Sequence, residues 1–306
     1  MPRSWMIALS AAFCAAAPLS TQAQNTADDD AAIDWPMFQG NMQRTGACDY
    51  PALEEPTVAW STRVGIMGYL NNPVIDGDRV YVGSSGSAHN TPDDLDGIYC
   101  LDLNTGNILW HRPTDTDACG VAINATHVFA GDDGGLFQAI DRETGEVAWT
   151  LRSGSRVGLI DAEGEMVAEF EGGPATASVF AQPLLVGGLV VIGDSNGLVY
   201  AVEQDTSEVA WSMQRRAAGR DLRSQHHAIR GGLSSNGETI YGVLVGGHAF
   251  ALDLAGQERW QWQMSDEWAE LYGTPTINDG RVILAAARQK GRQTQRHDHR
   301  TAEQCP

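Results

Sequence analysis

The sequence predicts an all-β protein, a β-propeller of four-stranded antiparallel blades with about four full blades plus a partial or composite one. Three observations carry that expectation. A short motif ending in tryptophan recurs at Trp110, Trp149, Trp211 and Trp260. Each copy follows short Val-, Ile- and Tyr-rich runs broken by Asp-Gly, Asn-Gly or Gly-Gly, which read as strands joined by tight hairpins. Helical periodicity over ten or more residues is missing outside the N-terminal apolar run and 214–228. Four antiparallel strands repeated at a near-constant period are the signature of propeller blades.

The chain opens with a segment that reads as an export signal. Arg3 supplies a positive charge, Met6 to Leu19 is apolar and too short to span a bilayer, and Thr21-Gln22-Ala23 is a small-x-small site. Residues 1–23 are therefore expected to be a cleaved signal peptide. Cys14 follows the bulky Phe13, which argues against lipidation there. Residues 24–34 form an acidic linker, 35–287 the propeller, and 288–306 a polar tail. No later segment has eighteen uninterrupted apolar residues, so the mature chain is expected to carry no transmembrane segment.

With 306 residues, 42% of them hydrophobic, the chain has ample material for a core. Its formal net charge of −19 argues against nucleic acid or an anionic membrane as partner. Export permits disulfides, and Cys100 and Cys119 stand as a candidate pair. Zinc-type Cys spacing is absent.

The repeat itself aligns on tryptophan. "LDLNTGNILW" has Asp102, Thr105 and Gly106 ahead of Trp110, and "IDRETGEVAW" has Asp141, Thr144 and Gly145 at the same offsets from Trp149. "VEQDTSEVAW" keeps Glu203 before Trp211 and puts Ser207 at the glycine position. "LDLAGQERW" keeps Gly256 four before Trp260, with Asp253 one place closer. Glycine permits a tight turn, and the acid and threonine can bind turn amides. An indole on an outer strand can then lie across the gap to the next blade, burying apolar area while its N–H finds a partner. Together with Trp60, the tryptophans are spaced 50, 39, 62 and 49 residues apart. The longer intervals imply insertions near 84–96, 153–180 and 213–230, which in repeat arrays tend to gather on one face.

These motifs resemble the tryptophan-docking repeat A-x-D-x-x-T-G-x-x-x-W of PQQ-like propellers. "AIDRETGEVAW" matches all of it, and "DWPMFQGNMQRTG" is similar to the opening of many exported members. The resemblance covers roughly 35–287. It implies a family containing both quinoprotein dehydrogenases and BamB, the non-catalytic propeller of outer-membrane β-barrel assembly. The dehydrogenases carry an adjacent cysteine pair and a calcium site. Here no two cysteines adjoin, so PQQ and calcium enter only through the resemblance.

Other polar clusters read more simply as turns or solvated loops. "DDLDG" at 93–97 and "GDDGG" at 131–135 are oxygen-rich but lack the twelve-residue calcium-loop spacing. His226 and His227, near Arg220, Asp221 and Arg223, form a polar insertion, and "HDH" at 297–299 lies in the tail. No catalytic or metal-ligating residue is singled out. The expected function is an exported, non-enzymatic scaffold that binds a protein or ligand on its loop-bearing face in the periplasm. A PQQ-dependent oxidoreductase, or a fragment of one, and a carbohydrate-active propeller are the alternatives. Beyond Ala287 the chain has no Val, Ile, Leu, Met or aromatic residue, so that tail is expected to be disordered and the C-terminus truncated or frame-shifted. Closure is expected by pairing of Pro56–Ser61 with 274–287.

Overall fold

The structure, a computed structural model, describes residues 35–48, 55–67, 71–153, 156–161, 166–171, 177–206, 208–215, 225–264, 269–288 and 300–301. The expected signal peptide, the acidic linker, Arg220, Asp221, Arg223, the 297–299 stretch and Cys305 lie outside these residues.

Four blades follow one another, each an antiparallel meander in chain order. The first is β1 (Val74–Asp76), β2 (Arg79–Ser85), β3 (Asp96–Asp102) and β4 (Ile108–Pro113). The second is β5 (Ala118–Ile123), β6 (His127–Asp132), β7 (Leu136–Asp141) and β8 (Val147–Arg152). In the insertion that follows, β9 (Arg156–Asp161) and β10 (Met166–Glu171) form a hairpin that extends this sheet outward to six strands. The third blade is β11 (Leu184–Val186), β12 (Leu189–Gly193), β13 (Leu198–Glu203) and β14 (Val209–Gln214). The fourth is β15 (Ser234–Ser235), β16 (Thr239–Leu244), β17 (His248–Asp253) and β18 (Glu258–Gln263). A partial fifth unit contains β19 (Ala269–Glu270), β20 (Thr276–Asn278), β21 (Arg281–Ile283), β22 (Ala285–Arg288) and β23 (Arg300–Thr301).

The middle strands are almost wholly buried and the outer ones half exposed. That gradient follows from sheets stacked face to face around an axis. Blades 2, 3 and 4 share the largest apolar cluster, built on Phe129, Phe137, Trp149, Leu184, Tyr200 and Phe250.

The outer hairpins share one irregularity. In all four blades the ladder between the third and fourth strands slips by a bulge, at Cys100/Leu101, Ala139/Ile140, Ala201/Val202 and Ala251/Leu252. The residue just before each slip pairs with the motif tryptophan: Cys100 with Trp110, Ala139 with Trp149, Ala201 with Trp211, Ala251 with Trp260. A small residue opposite each indole leaves the ring room, and the bulge turns it toward the next blade.

This position corrects the expected disulfide. Cys100 and Cys119 are both free thiols. Cys100 occupies the small-residue slot that alanine fills in the other blades, in a cluster with Tyr81 and Ile98. Cys119 instead points its Sγ at Asp133 Oδ1 (3.7 Å) and the Asp117 carbonyl (3.9 Å).

Two further expectations change. Among the described residues, 56–61 forms no ladder with 274–287. The tail is not wholly without structure, because β23 pairs with Ala285 and Ala286 of β22. Main-chain pairing of this kind needs no apolar side chain.

Candidate functional site

The propeller has two dissimilar ends. At one, the turns between first and second strands meet those between third and fourth strands: Leu103 N donates to Asp78 O, Arg142 N to Thr126 O, and Gln204 N to Gly188 O. At the other lie the second-to-third turns and the connections between blades. There Asp133 N donates to Asp117 O, Val179 N to Asp132 O and Ile229 N to Asp194 O. All three long insertions join strands at this second, connection-side end.

The repeat motifs build the turn-side end. Asp102 Oδ1 accepts from Asn104 N, Thr105 N and Thr105 Oγ1, and Asp141 Oδ1 does the same with Glu143 N, Thr144 N and Thr144 Oγ1. These bonds hold both carboxyls below the usual range, the Thr105 hydroxyl contributing most for Asp102 and the Thr144 amide most for Asp141. Asp253 caps Ala255 N and Gln257 N in the shorter fourth turn. Glu203 closes its turn through the main chain, its N–H bonding Glu208 O.

The turns capped by Asp102, Asp141 and Asp253 each receive a tryptophan, two of them from the outer strand of the preceding blade. Trp60 Nε1 donates to Leu103 O (2.7 Å), Trp110 to Arg142 O (2.9 Å) and Trp211 to Leu254 O (2.8 Å). The rings lie on Gly106, Gly145 and Gly256, all at positive φ, where a Cβ would stand 2.5, 2.9 and 2.6 Å from the indole. Trp60 thus docks on blade 1 without belonging to a described strand. Trp149 differs, for its Nε1 is buried without a partner among the described residues. The glycine position of the following motif is Ser207 in the sequence, which lies outside the described residues. Trp149 packs instead between Phe129 and Phe137, with ring centroids 6.0 and 5.9 Å away. Trp260 packs with Val243, Leu271 and Leu284 beside the fifth unit.

Arg142, inside the second motif, ties blades 1 and 2. Its Nη2 lies 2.5 Å from Asp76 Oδ2, its Nη1 donates to Asn124 O, and its Nε reaches the Tyr81 hydroxyl. These groups border a recess of about 490 Å³ floored by Met42, Ile123, Leu185 and Val186. Its polar wall is internally paired, since Asn124 Nδ2 donates to Gln204 Oε1 (2.8 Å).

The connection-side end is acidic and crowded. Asp117 is buried, accepts from Asn90 N and faces His89 Nδ1 at 3.1 Å. Burial pushes Asp132 and Asp133 up to about 6, with the Asp117 charge adding to the effect on Asp133. Asp132 Oδ1 caps the Leu136 amide, and Asp194 Oδ1 caps those of Asn196 and Leu198. Asp194 Oδ2 also accepts from Ser153 Oγ (2.7 Å) and the Tyr200 hydroxyl (3.0 Å). In "DDLDG", Asp93 binds the amides of Ser87 and Leu95. Both oxygen-rich stretches are therefore spent on turns. His226 Nε2 is 3.8 Å from Glu270, and Arg230 lies over Phe180. No three His, Cys, Asp or Glu side chains among the described residues stand together as a metal ion needs.

Sequence reasoning missed Arg142, Asp117 and Asp194, whose partners Asp76, His89 and Ser153 lie in other turns or blades and leave no local spacing to read.

A family model described as outer membrane protein assembly factor BamB matches residues 51–173 and 96–304. The outer membrane protein assembly factor BamB of Burkholderia pseudomallei (strain K96243) is 27% identical over 257 residues, covering 82% of this chain and 55% of the relative. A polyvinylalcohol dehydrogenase of Sphingopyxis sp. (strain 113P3) is 26% identical over 180 residues, covering 53% of this chain and 24% of that protein. Among solved structures, quinohemoprotein alcohol dehydrogenase from Comamonas testosteroni superimposes with a TM-score of 0.61 at 18% identity, over 85% of this chain and 46% of its own; this likeness shows the fold. The chain spans about half the length of the BamB relatives it matches. Taken with the capped turns and docked tryptophans, the family match over most of the chain shows that this protein belongs to the PQQ-like repeat family described as outer membrane protein assembly factor BamB.

Proposed function

We propose that the protein is an exported, non-enzymatic propeller that binds a protein partner in the periplasm through its connection-side face. The family match carries this reading, since three curated relatives bear the assembly-factor name. The geometry supports it. The buried carboxylates of that face are committed to turn amides and hydroxyls, which makes a rigid rim at the end where the long insertions join the strands. Photo-crosslinking residues at exposed Ala88, on the connection side, and exposed Asp78, on the turn side, test the assignment. Crosslinking in living cells should trap a discrete protein from Ala88 and none from Asp78. The reverse pattern, or no adduct at either, would remove the proposal.

A quinoprotein reading draws on the dehydrogenase likenesses. The residues present do not fit that group: no adjacent cysteine pair exists, and the connection-side carboxylates are already spent on turns. Reconstitution with quinone and calcium, followed by alcohol-dependent dye reduction, decides it; turnover would overturn the scaffold reading.

A further inference from the structure

Residues 35–45 thread across the turn-side mouth of the axis and bond to successive blades. Four inner-strand amides donate to this short segment: Ile75 N to Trp35 O (3.0 Å), Ile123 N to Pro36 O (2.8 Å), Ser235 N to Met42 O (2.8 Å) and Ile277 N to Gln43 O (2.8 Å). They come from β1, β5, β15 and β20, so blades 1, 2 and 4 and the fifth unit each give one. Trp35 N returns a bond to Ile75 O (2.9 Å). Blade 3 is reached by a side chain. Arg44 is fully buried, and its guanidinium donates to the carbonyls of Pro183 (3.0 Å), Leu233 (2.9 Å) and Phe38 (2.8 Å). Met37 is buried in the shared core, and Met42 packs against it.

The segment is folded rather than extended: Phe38–Gly40 is a 3-10 turn, Gln39 and Arg44 sit at positive φ, and Arg44 N donates to Asn41 O (3.0 Å). Main-chain hydrogen bonds to strand edges, one side chain seated in a polar slot and apolar anchors beside it are features that proteins use to recognise peptides. We propose that the turn-side mouth of the axis is a peptide-binding site, which the chain fills with its own residues 35–45. The site is formed by the inner-strand edges and by a slot of carbonyls shaped for a guanidinium. Its ligand class is a turn-forming peptide with apolar anchors and one arginine. The bound segment holds the units at a common axis, where no ladder between 56–61 and 274–287 does so. This inference stands on the fold and does not depend on the scaffold role.

The test uses the full chain with a specific protease site in place of 49–54. After cleavage, the N-terminal fragment should co-elute with the body on gel filtration. It should exchange with excess fluorescein-labelled peptide of residues 35–48. The same peptide carrying Arg44→Met should bind at least about tenfold more weakly, as expected when buried acceptors lose their partner. A fragment that elutes alone while the body keeps its melting temperature would overturn the proposal, as would equal binding by the Arg44→Met peptide. Should cleavage precipitate the protein, hydrogen exchange on the uncut Arg44→Met chain decides. The amides of Ile75, Ile123, Ser235 and Ile277 should lose protection together while mid-sheet amides such as Tyr200 keep theirs. Retained protection at all four would be fatal.

Discussion

Trp211 of blade 3 donates its indole N–H to the Leu254 carbonyl of blade 4 at 2.8 Å, with its ring resting on Gly256. The contact joins two sheets through one hydrogen bond and one missing side chain. At Gly256 the backbone has a φ of +79°, and a Cβ would stand 2.6 Å from Cδ2 of the ring. Gly256→Ala is therefore expected to cost about 1–3 kcal/mol, from backbone strain and a displaced indole. Urea unfolding followed by tryptophan emission measures it. Stability within about 0.5 kcal/mol of the parent would contradict the seating.

The joints differ in what their indole N–H does. Trp110 bonds Arg142 O, whereas Trp149 Nε1 is buried without a partner among the described residues. Benzothienylalanine has the shape of tryptophan without the donor. At position 110 it should cost about 1 kcal/mol, the net worth of one hydrogen bond. At position 149 it should be neutral or stabilising. Equal losses at the two sites would show that Trp149 has an acceptor after all.

The free thiol at Cys100 predicts tolerance. Because the residue fills a slot held elsewhere by Ala139, Ala201 and Ala251, Cys100→Ala should lose less than about 1.5 kcal/mol. Loss of a disulfide would cost about 2–5 kcal/mol. Cys100→Leu should cost about 1–3 kcal/mol by overpacking the tryptophan. Burial pushes the Cys100 thiol up to about 11, so alkylation of the native protein at neutral pH should leave it unmodified.

The connection-side carboxylates set a pH dependence. Burial raises Asp132 and Asp133 to about 6, above the unfolded aspartate value of about 3.9. Between those values the native state binds more protons than the unfolded chain, so their contribution to stability falls as pH rises from about 4 to 6. Asp132→Asn keeps an oxygen for the Leu136 amide and removes the titration. Melting temperatures measured across that window should show a shallower slope in the variant. An unchanged slope would show that Asp132 titrates normally.

The periodic parts of this fold could be read directly because they are local. The tryptophan, the glycine and the capping acid lie within nine residues, so spacing alone gives the turn and the strand after it. The small residues opposite each tryptophan were equally present, as Cys100, Ala139, Ala201 and Ala251, but their meaning needs the ladder register. Cysteine in that slot carries no sign in the sequence that it faces Trp110 across the ladder rather than a second thiol. The β9–β10 hairpin, inside the expected 153–180 insertion, lies outside the repeat, so the motif spacing gives no strand there. Least legible was the role of 35–45, whose partners are scattered from Ile75 to Ile277 and share no motif.

That scattering has a kinetic consequence. Residues at the start of the described chain bond to strands made near its end; Arg44 and Leu233 are 189 positions apart. Local hairpins can form within microseconds, but contacts of such long range wait on a large loop-closure entropy and belong to slow-folding topologies. Trp35 and Pro36 meet their partners early, at Ile75 and Ile123, whereas Met42, Gln43 and Arg44 must stay unsatisfied until the fourth blade and the fifth unit arrive. A chain halted partway through synthesis would hold folded blades with residues 42–44 still lacking their partners.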